Sequence, residues 1–591
     1  MPRRRRRSAA LLAGAAAVAL ALAGCSDGGA TRLVEGSEVE LAWYHELTST
    51  NPASVAGATP GSREVAAMTR GAFFTMDQNG ELREDPSFGV ATIVRDDPFT
   101  VRYDLADVSW SDGVPVDASD LVLAWAAASN ARSTPDLDPD ALRGPDGRLD
   151  LADDEAWFDV AEPGGMRHAA ELPVRDDWAR SIDVAFAQPV PDWRTALDVQ
   201  VPAHVVGQRA FGVSDPMAAK QRVLDAIDRG DRLAIAAIAR EWSTGFAVRP
   251  ADLKRSSLLS NAPYRFDRIV DGRIELVANS DYDGDQTAQV ERVVLRGVPD
   301  SARALQALVG DTVDVATVRP TDDDRTAIRD LERAGATLST AGDGMRWMLS
   351  LRADRAPLQP VEARQSLLRA IDRSGVLETV FGERASEARG VNAALFLPGT
   401  RLHEYATEDS GFTTTLGTPN VDESIALRDA MAIPAGTGVC LLYDRADAFA
   451  AAALPAIQAS AAESGWAVQD CGTDDLAAGL ESDAWNAVLR LEPVPLTVEQ
   501  MDARWRGGGV SGVASDRVDA LLTEALSTGA PDAVEGSLLE LETALVQEAI
   551  VLPIAERPQL TVSLATVQGV RPRPGPAPLT WAIWEWGYEE Q

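Results

Sequence analysis

Apolar and polar residues follow two different spacings along the chain. Strict alternation predicts β-strands at residues 100–105 and 181–188, and in residues 261–284 it predicts two strands joined by an Asp-Gly turn. Recurrence every third or fourth position predicts amphipathic helices at residues 217–242 and 360–382. Strands and helices interchange without a short repeat, so the pattern predicts a mixed α/β fold.

The stretch VSWSDGVPVDASDLVLAWAAA (residues 108–128) places three carboxylates around the start of a predicted helix. Acids this close together would suit catalysis, but local structure accounts for each of them more simply. Asp112 precedes a glycine and makes a turn signal. Asp117 is a good helix N-cap, and Asp120 falls at the third helical position, where a carboxylate favours the unpaired amides. The sequence therefore favours an architectural role for this stretch.

The first 24 residues have the pattern of an export signal. Arginines at positions 3 to 7 precede an Ala/Leu run that is short for a membrane span, and the run ends in Leu22-Ala23-Gly24-Cys25, which resembles the bacterial lipobox. That resemblance implies cleavage after residue 24 and acylation of Cys25, with residues 25–38 as a tether. We therefore expect an exported protein, lipid-anchored at the outer face of the cell membrane, that uses either the Sec or the twin-arginine route.

The composition excludes several kinds of partner. The formal net charge is -35 at pH 7, and removal of the signal's arginines makes the mature chain more negative. This charge argues against nucleic acid as a partner and against adhesion of the protein body to anionic lipid. A chain of 591 residues, 45% of them hydrophobic, is long enough for about three or four domain-sized units.

Two cysteines follow Cys25 in the sequence. Cys440 and Cys471 flank a segment that predicts strand, helix, a stop at Gly465 and a second strand, which is a βαβ unit with parallel strands. If these strands are adjacent, the two sulfurs can meet in a disulfide, which an oxidising compartment permits. The alternative is two buried free thiols, and the sequence leaves both open.

The sequence offers no convincing catalytic or metal-binding constellation. It has neither a Gly-x-Ser-x-Gly elbow nor a Gly-x-x-x-x-Gly-Lys phosphate loop. Residues 279–284 copy the front of a calcium loop, but Val290 stands where such a loop needs its glutamate. The four histidines are scattered singly, at His45, His168, His204 and His403. We therefore expect a protein that is not an enzyme and that has no metal or cofactor.

Several blocks of sequence, in chain order, resemble one protein family. WSDGVPVDASDLVLAW (residues 110–125) resembles the Trp-x-Asp-Gly-x-Pro signature of solute-binding protein family 5, the extracytoplasmic receptors of peptide and nickel ABC importers. Residues 261–282 look like the family's Gly-Pro-Tyr and Arg-Asn-Pro-x-Tyr block, and residues 305–318 look like its Gly-Glu-Ile-Asp block. Residues 345–376 look like its Arg-Gln-Ala-Ile stretch. The resemblance extends over most of the chain.

The resemblance implies an α/β fold of the two-lobed periplasmic-binding-protein type, similar to type II and cluster C, with an extra domain inserted into lobe one. Contacts split between two hinged lobes favour the closed state, so ligand binding becomes a conformational signal for a transporter. The chain would cross between the lobes near Trp347 and Pro553. The implied boundaries are lobe one at residues 39–344 with the inserted domain at about 73–185, lobe two at 345–555, and a C-terminal return to lobe one at 556–591.

Ligand-binding positions also follow from the resemblance. Receptors of the family pair the ligand backbone with the loop after the first strand, here residues 56–59, and hold a free amine with an Asp of lobe two. The corresponding segment of this chain, residues 486–501, contains no Asp, and Glu492 is the nearest acid. A glutamate displaced by two or three positions is a poor geometric substitute for that Asp as a clamp for an ammonium group. Short free peptides are therefore disfavoured as ligands. The residues expected at the ligand are Trp43, Tyr44, Gly57, Thr59, Trp347, Glu492 and Trp505. For each of the aromatic residues among them, core packing is the competing explanation.

Two functions follow from these resemblances. The first is a monomeric, lipid-anchored substrate-binding protein that delivers a peptide-like or oligomeric solute to the permease subunits of an ABC importer. The Asn-Pro-Ala turn at residues 51–53 and the Trp-x-Trp tail at 584–586 also resemble an actinobacterial branch of lipoproteins in this family. That branch implies the alternative, an envelope-biogenesis factor that transports nothing and binds a mannosylated phosphoinositide glycolipid or a partner enzyme.

Overall fold

The computed structural model describes residues 33–145, 147–176, 180–249, 253–270, 272–382, 388 and 390–589. The predicted signal peptide, Cys25 and part of the predicted tether lie outside these residues. The first strand begins at Val34, inside the stretch expected to be tether, because residues from Val34 onward pair in parallel with a strand that begins at Val290. Within the described part of the chain, no helix is both long and apolar enough to cross a bilayer.

The mixed α/β class predicted from the sequence is confirmed by the element order. The strands are β1 (Val34–Trp43), β2 (Phe74–Met76), β3 (Leu82–Glu84), β4 (Gly89–Asp96), β5 (Phe99–Leu105), β6 (Val174–Arg175), β7 (Ser181–Ala185), β8 (Tyr264–Val270), β9 (Arg273–Ala278), β10 (Val290–Gly297), β11 (Val315–Val318), β12 (Thr337–Leu351), β13 (Thr437–Leu442), β14 (Trp466–Asp470), β15 (Ala487–Pro493), β16 (Val551–Ser563), β17 (Val567–Gln568) and β18 (Gly587–Tyr588). The α-helices are α1 (Pro60–Thr69), α2 (Ala118–Ser129), α3 (Ala203–Phe211), α4 (Pro216–Arg229), α5 (Arg232–Thr244), α6 (Ser301–Val309), α7 (Arg325–Arg333), α8 (Val361–Ala370), α9 (Arg373–Phe381), α10 (Arg401–Asp409), α11 (Val421–Ala430), α12 (Ala448–Glu463), α13 (Leu476–Glu481), α14 (Val498–Trp505), α15 (Asp516–Leu526) and α16 (Pro531–Glu548).

A ten-stranded sheet runs through both lobes, in the order β14-β13-β15-β12-β16-β11-β1-β10-β9-β8. Lobe one is built on β1 and β8 to β11, and lobe two on β13 to β15. Strands β12 and β16 are antiparallel neighbours that belong to both lobes. The end of β16 pairs with β11 of lobe one, while the end of β12 pairs with β15 of lobe two. The chain therefore crosses between the lobes along these two strands, which we call the hinge strands.

The pairing of the hinge strands is interrupted at the crossing. On the side of β16, Gly342 pairs with Pro558 and Arg346 pairs with Glu556. Three residues of β12, 343–345, therefore lie opposite the single residue Arg557 of β16. A bulge of this kind bends a strand and redirects its side chains. It lies within a few residues of Trp347, where the family resemblance placed the first crossing.

A smaller sheet, in the order β4-β5-β7-β6, belongs to the unit inserted into lobe one. Its core is a hydrophobic cluster that extends from Phe73 to Phe246. Helices α3, α4 and α5 contribute apolar residues such as Val206, Val223 and Ile235 to that cluster. The core of the inserted unit therefore includes residues of α3, α4 and α5, which lie beyond the expected boundary at about residue 185; α3 and α4 pack on α2, and α5 packs on α3 and α4.

The acid-rich stretch before α2 has the architectural role expected of it. Asp117 accepts a hydrogen bond from the amide of Ser119 at 2.8 Å, and Asp120 accepts one from the amide of Asp117 at 3.0 Å, so the predicted cap is confirmed. Asp120 also pairs with Lys220 at 2.8 Å, and the Lys220 side chain is 2% exposed. Removing one partner of such a buried pair leaves an uncompensated charge, so these residues hold α4 against α2.

The segment around the two cysteines forms the predicted βαβ unit. Strands β13 and β14 pair in parallel, with α12 as the connection between them. Cys440 and Cys471 are joined by a disulfide, with their Cα atoms 5.6 Å apart. Of the two alternatives that the sequence leaves open, the structure has the bridged one.

Candidate functional site

Carboxyl ends of parallel strands from both lobes approach one another. Strands β1 and β11 are parallel neighbours in lobe one, and β13 and β15 are parallel neighbours in lobe two. Open α/β sheets bind ligands in the crevice outside such strand ends. The residues that follow β11 and β13 line one cavity here, so the sheet topology and the cavity indicate the same place.

The interlobe cavity has a volume of about 360 Å³, which is within the range of pockets that enclose small ligands. Lobe one and the hinge strands form one side, and lobe two with the end of β12 forms the other. The first side consists of Arg319, Pro320, Thr340, Arg557, Pro558, Gln559 and Leu560, and the second of Trp347, Val380, Phe381, Ala448, Phe449 and Ala452.

Three aromatic rings form what we call the aromatic wall of this cavity: Trp347, Phe381 and Phe449. Trp347 stacks on Phe449 with ring centroids 3.8 Å apart and an interplanar angle of 12°. Phe381, at the end of α9, lies with its ring centroid 5.8 Å from that of Phe449. Such rings offer contact area to apolar groups, aromatic groups and sugar faces.

Asp447 holds two of these rings in position. Its Oδ1 accepts hydrogen bonds from the amides of Phe449 at 3.0 Å and Ala450 at 3.3 Å, which caps α12. Its Oδ2 accepts a hydrogen bond from the indole Nε1 of Trp347 at 3.0 Å. One carboxylate thus ties hinge strand β12 to the first turn of α12, so the aromatic wall is a preorganised surface.

Two arginines, which we call the arginine pair, form a positively charged side. Arg319 Nη2 and Arg557 Nε both donate to Oδ2 of Asp343, at 2.9 and 2.6 Å. The other oxygen of Asp343 accepts a hydrogen bond from the amide of Met345 at 3.0 Å, within the bulge of β12. Two guanidinium groups therefore share one carboxylate, which leaves an excess of positive charge beside the cavity.

The residues at the end of β1 lie within reach of this charge. Burial, followed by the charge of Arg319, lowers the pKa of His45. Burial raises the pKa of Tyr44 to about 12, although the charge of Arg319 opposes the rise. The Tyr44 hydroxyl donates to the carbonyl oxygen of Thr317. The Tyr44 hydroxyl is therefore protonated at pH 7, and neither side chain adds negative charge near the arginine pair.

The lobes also touch outside the cavity. Trp193 Nε1 donates to the carbonyl oxygen of Gly529 at 2.9 Å. Arg401 pairs with Glu81 at 2.7 Å, and Arg167 with Glu499 at 3.7 Å. Each contact joins the unit inserted into lobe one to lobe two, so the two lobes are in contact beyond the cavity. Exposed ion pairs of this kind contribute roughly 1 kcal/mol or less, so they do not prevent opening.

The predicted aromatic ligand residues lie in different surroundings. Trp347 lines the interlobe cavity, and Tyr44 lies beside Arg319. Trp43 belongs to the core of lobe one, where its Nε1 donates to Glu64 at 2.6 Å. Trp505 belongs to a core of lobe two. For Trp43 and Trp505, core packing is the role that the contacts support.

Gly57 and Thr59 have structural roles in the loop before α1. A Cβ atom at Gly57 would lie 2.0 Å from the carbonyl oxygen of Asn51, so this position admits no side chain. Thr59 caps α1 by accepting a hydrogen bond from the amide of Ser62 at 3.3 Å. Contact between this loop and a ligand stays a prediction.

Glu492 is occupied by other protein groups. Its carboxylate pairs with Arg490 and, at 3.3 Å, with Arg504, and its side chain is 7% exposed. A ligand ammonium group would have to displace a guanidinium to reach it. The structure thus gives a physical reason, beyond the geometric one, why Glu492 is a poor amine clamp.

The histidines are not assembled into a site. His204 Nε2 lies 2.9 Å from Oδ2 of Asp112. Burial lowers the pKa of His403 to about 4. In the ranges that the structure describes, no group of three or more His, Cys, Asp or Glu side chains is arranged to hold a metal ion.

Sequence reasoning did not single out the arginine pair or the two phenylalanines of the aromatic wall. Arg319 and Arg557 are far apart in sequence and meet only through Asp343. Phe449 follows Asp447 by two residues. An Asp directly before an apolar run is a sequence signal for a capped helix start, and this signal could have indicated that α12 begins here.

One protein-family model matches most of the strands and helices that surround the interlobe cavity. The family model described as "Bacterial extracellular solute-binding proteins, family 5 Middle" matches residues 89–486. The match begins at β4 and ends one residue before β15. It therefore covers most of the inserted unit, the first hinge strand and most of lobe two.

Two of the curated relatives of this chain are mycobacterial lipoproteins. An uncharacterized lipoprotein of Mycobacterium leprae is 28% identical over 311 residues, which are 51% of this chain and 47% of that protein. An uncharacterized lipoprotein of Mycobacterium tuberculosis is 26% identical over 283 residues, which are 46% of this chain and 44% of that protein. The chain thus spans about half the length of the curated relatives it matches.

A solved structure shares the fold over nearly the whole chain. The periplasmic EDTA-binding protein EppA is 18% identical with a TM-score of 0.70, and the alignment covers 95% of this chain and 98% of EppA. At this identity the likeness shows the fold alone, which is the two-lobed one that the sequence predicted.

Proposed function

The chain belongs to family 5 of the bacterial extracellular solute-binding proteins, and on this premise we propose that it is a lipid-anchored receptor for an ABC importer. It binds a peptide-like or other oligomeric solute outside the cell membrane and presents it to the permease subunits. The family and its structural neighbours are substrate-binding proteins and not enzymes.

The interlobe cavity is the observation that carries this proposal. Its two sides come from different lobes, and the chain crosses between the lobes along β12 and β16. A solute that contacts both sides binds the closed form more tightly than the open form, and this difference in affinity shifts the population toward closure. Closure then reports occupancy to a transporter without any chemical step.

The proposed location rests on the N-terminus and on the relatives. The mycobacterial relatives are named lipoproteins, which supports acylation of Cys25 in the lipobox-like sequence. Cys25 itself lies outside the described residues. Attachment of two or more acyl chains holds a protein on a membrane, whereas a single chain gives marginal binding.

The ligand of this chain has to be inferred from its own residues. EppA is named for EDTA, and another protein of the same fold, with a TM-score of 0.63 and 14% identity, is named as a murein tripeptide binding protein. One fold therefore serves chemically different solutes, and function depends on the site built into it. The engagement of Glu492 by two arginines disfavours a receptor that recognises the free amine of a short peptide.

The same engagement, together with the mycobacterial relatives, supports a second candidate. In that case the protein is an envelope-biogenesis factor that binds a mannosylated phosphoinositide glycolipid or a partner enzyme. The aromatic wall suits the sugar rings of a glycolipid. This candidate differs from the first because nothing is transported.

Identification of the bound molecule tests the proposal. The protein is purified from its native envelope, and native mass spectrometry measures the mass of any molecule bound to it. A Trp347→Leu variant, which removes part of the aromatic wall, is purified and measured in the same way. We expect a peptide or other small oligomer on the natural chain and much less on the variant. A glycolipid would select the second candidate. Absence of any ligand, with no thermal shift in a peptide pool, would contradict the import proposal.

A further inference from the structure

The charges around the interlobe cavity are unbalanced. Arg319 and Arg557 line it, and no Asp or Glu belongs to the lining among the residues that the structure describes. Asp343 is the carboxylate that both arginines share, and its side chain is 9% exposed. Each guanidinium uses one nitrogen on the same oxygen of Asp343, and arginine carries five N–H donors. Further N–H groups of the arginine pair can therefore donate hydrogen bonds to a ligand.

An oxyanion is the group that satisfies such a pair best. Two guanidinium groups beside one carboxylate carry one uncompensated charge, and their planar N–H groups match the geometry of a carboxylate or a phosphate. A cationic group would meet repulsion from the same charge. A neutral amide would accept hydrogen bonds there but would leave the excess charge in place.

The other side of the cavity is suited to an uncharged group. Trp347 and Phe449 are locked by Asp447, whose two oxygens already accept three hydrogen bonds. That carboxylate is therefore occupied by protein donors and does not reverse the charge of the cavity. The aromatic wall accordingly offers ring faces and edges for a flat or apolar body.

We propose that the interlobe cavity selects an anionic solute, whose carboxylate or similar oxyanion binds between Arg319 and Arg557 and whose flat or apolar body lies on the aromatic wall. The inference rests on the proposed function and specifies its ligand. Such a solute would connect the hinge and lobe one, through the arginine pair, to lobe two, through the wall. Its charge and its body would then both favour the closed form.

The experiment compares three probes that differ at one functional group: indole-3-propionate, indole-3-propionamide and tryptamine. Binding to the full chain is measured by isothermal titration calorimetry at two salt concentrations, because exposed charges are screened by salt. The variants are Arg319→Gln, Arg557→Gln and Asp343→Asn. The control is Arg333→Gln, at an exposed arginine that pairs with its own helix neighbour Asp330.

We expect the carboxylate to bind at least about tenfold more tightly than the amide, since hydrogen bonds to charged groups contribute about 1.5–3 kcal/mol. That preference should fall toward one in Arg319→Gln and Arg557→Gln and stay unchanged in Arg333→Gln. Asp343→Asn should increase it, because the competing carboxylate is gone. A variant that merely misfolds would lower the affinity for all probes, so the increase separates charge from folding.

The inference is overturned if the amide or tryptamine binds as tightly as the carboxylate, if none of the three probes binds, or if Asp343→Asn weakens carboxylate binding. Failure of the proposed function has a different signature. A neutral or cationic native ligand that closes the lobes would refute the anion preference and leave the receptor function intact. A chain that closes on no ligand from its envelope would refute the receptor function.

Discussion

The indole Nε1 of Trp347 donates a hydrogen bond to Oδ2 of Asp447 at 3.0 Å. This bond joins a hinge strand to the helix that carries Phe449, and it fixes the stacked rings in the interlobe cavity. The same carboxylate caps α12. One residue therefore couples the stability of lobe two to the shape of its ligand surface.

Replacement of that carboxylate should weaken both properties. Asp447→Ala removes a helix cap and the partner of a buried indole, so we expect the free energy of unfolding to fall by about 1–2 kcal/mol and ligand affinity to fall with it. Urea unfolding and calorimetric titration measure the two effects. Asp475→Ala, which removes the cap of the exposed helix α13, is the control and should leave affinity unchanged. Equal affinity in both variants would contradict the role given to Asp447.

The two lysines of the chain provide a matched test of the buried ion pair. Lys220 lies against Asp117 and Asp120, at 3.1 and 2.8 Å, whereas Lys254 is exposed. Lys220→Met leaves buried carboxylate charge without a partner and should lower the free energy of unfolding by about 3–5 kcal/mol. Lys254→Met should change it by less than about 0.5 kcal/mol. Similar urea midpoints for the two variants would refute the structural role of the pair.

Loss of the disulfide should destabilise lobe two. Cys440 and Cys471 are 31 residues apart, so the chain-entropy model gives a stabilisation of about 3–4 kcal/mol. We expect the double change Cys440→Ala and Cys471→Ala to lower the free energy of unfolding by about that amount. Thiol titration of the unfolded natural chain should detect neither cysteine before reduction and both afterwards. Two reactive thiols before reduction would show that the bridge is absent.

Glu64 should make stability depend on pH. Burial raises its pKa from an ordinary value of 4.5 to about 7, although the Trp43 indole donates to it. The folded state thus binds this proton more tightly than the unfolded state, so the stabilisation is complete below pH 4.5 and is lost as the pH rises through 7. Glu64→Gln should reduce the loss of stability between pH 5 and pH 8 by roughly 2.5 kcal/mol.

Urea unfolding at several pH values measures this effect. Glu84→Gln, at an exposed strand position, is the control and should keep the pH dependence of the natural chain. If Glu64→Gln leaves the pH dependence unaltered, Glu64 does not hold a proton in the folded state.

The hinge bulge should tolerate little change at Gly344. This residue has φ +82°, and a Cβ atom there would lie 2.5 Å from Pro576 Cδ. Gly113 has φ +83° and open space around it. Gly113→Ala should cost about 1–2 kcal/mol of unfolding free energy from backbone strain alone. Gly344→Ala should cost more, because the C-terminal segment must move. Equal thermal midpoints would show that Pro576 does not pack against the hinge.

Features that depend on neighbouring residues could be predicted from the sequence. The cap by Asp117 and the βαβ unit between Cys440 and Cys471 are local, since turn, cap and helix spacing act within a few residues. The mixed α/β class followed for the same reason, and the two-lobed arrangement followed from the resemblance of several blocks to one family. The participation of α3 to α5 in the core of the inserted unit could not be predicted, because it depends on contacts that the spacing of apolar residues cannot specify.

The candidate site depends on long-range contacts, so the sequence revealed little of it. Trp347 was predicted and lines the cavity, but Trp43 and Trp505 pack in cores, and nothing in their local sequence separates the two outcomes. Arg319 and Arg557 become a pair only when β11 and β16 lie side by side and both arginines reach Asp343. A charge cluster of this kind exists in the fold and not in any single segment.

Small-angle X-ray scattering of the purified chain measures whether ligand binding closes the two lobes. The radius of gyration is measured without ligand and with the molecule recovered from the native envelope at saturation, and again with Trp347→Leu. Closure around the interlobe cavity predicts a smaller radius of gyration with ligand for the natural chain and no change for the variant. An identical radius of gyration for the natural chain with and without a saturating ligand would contradict the account.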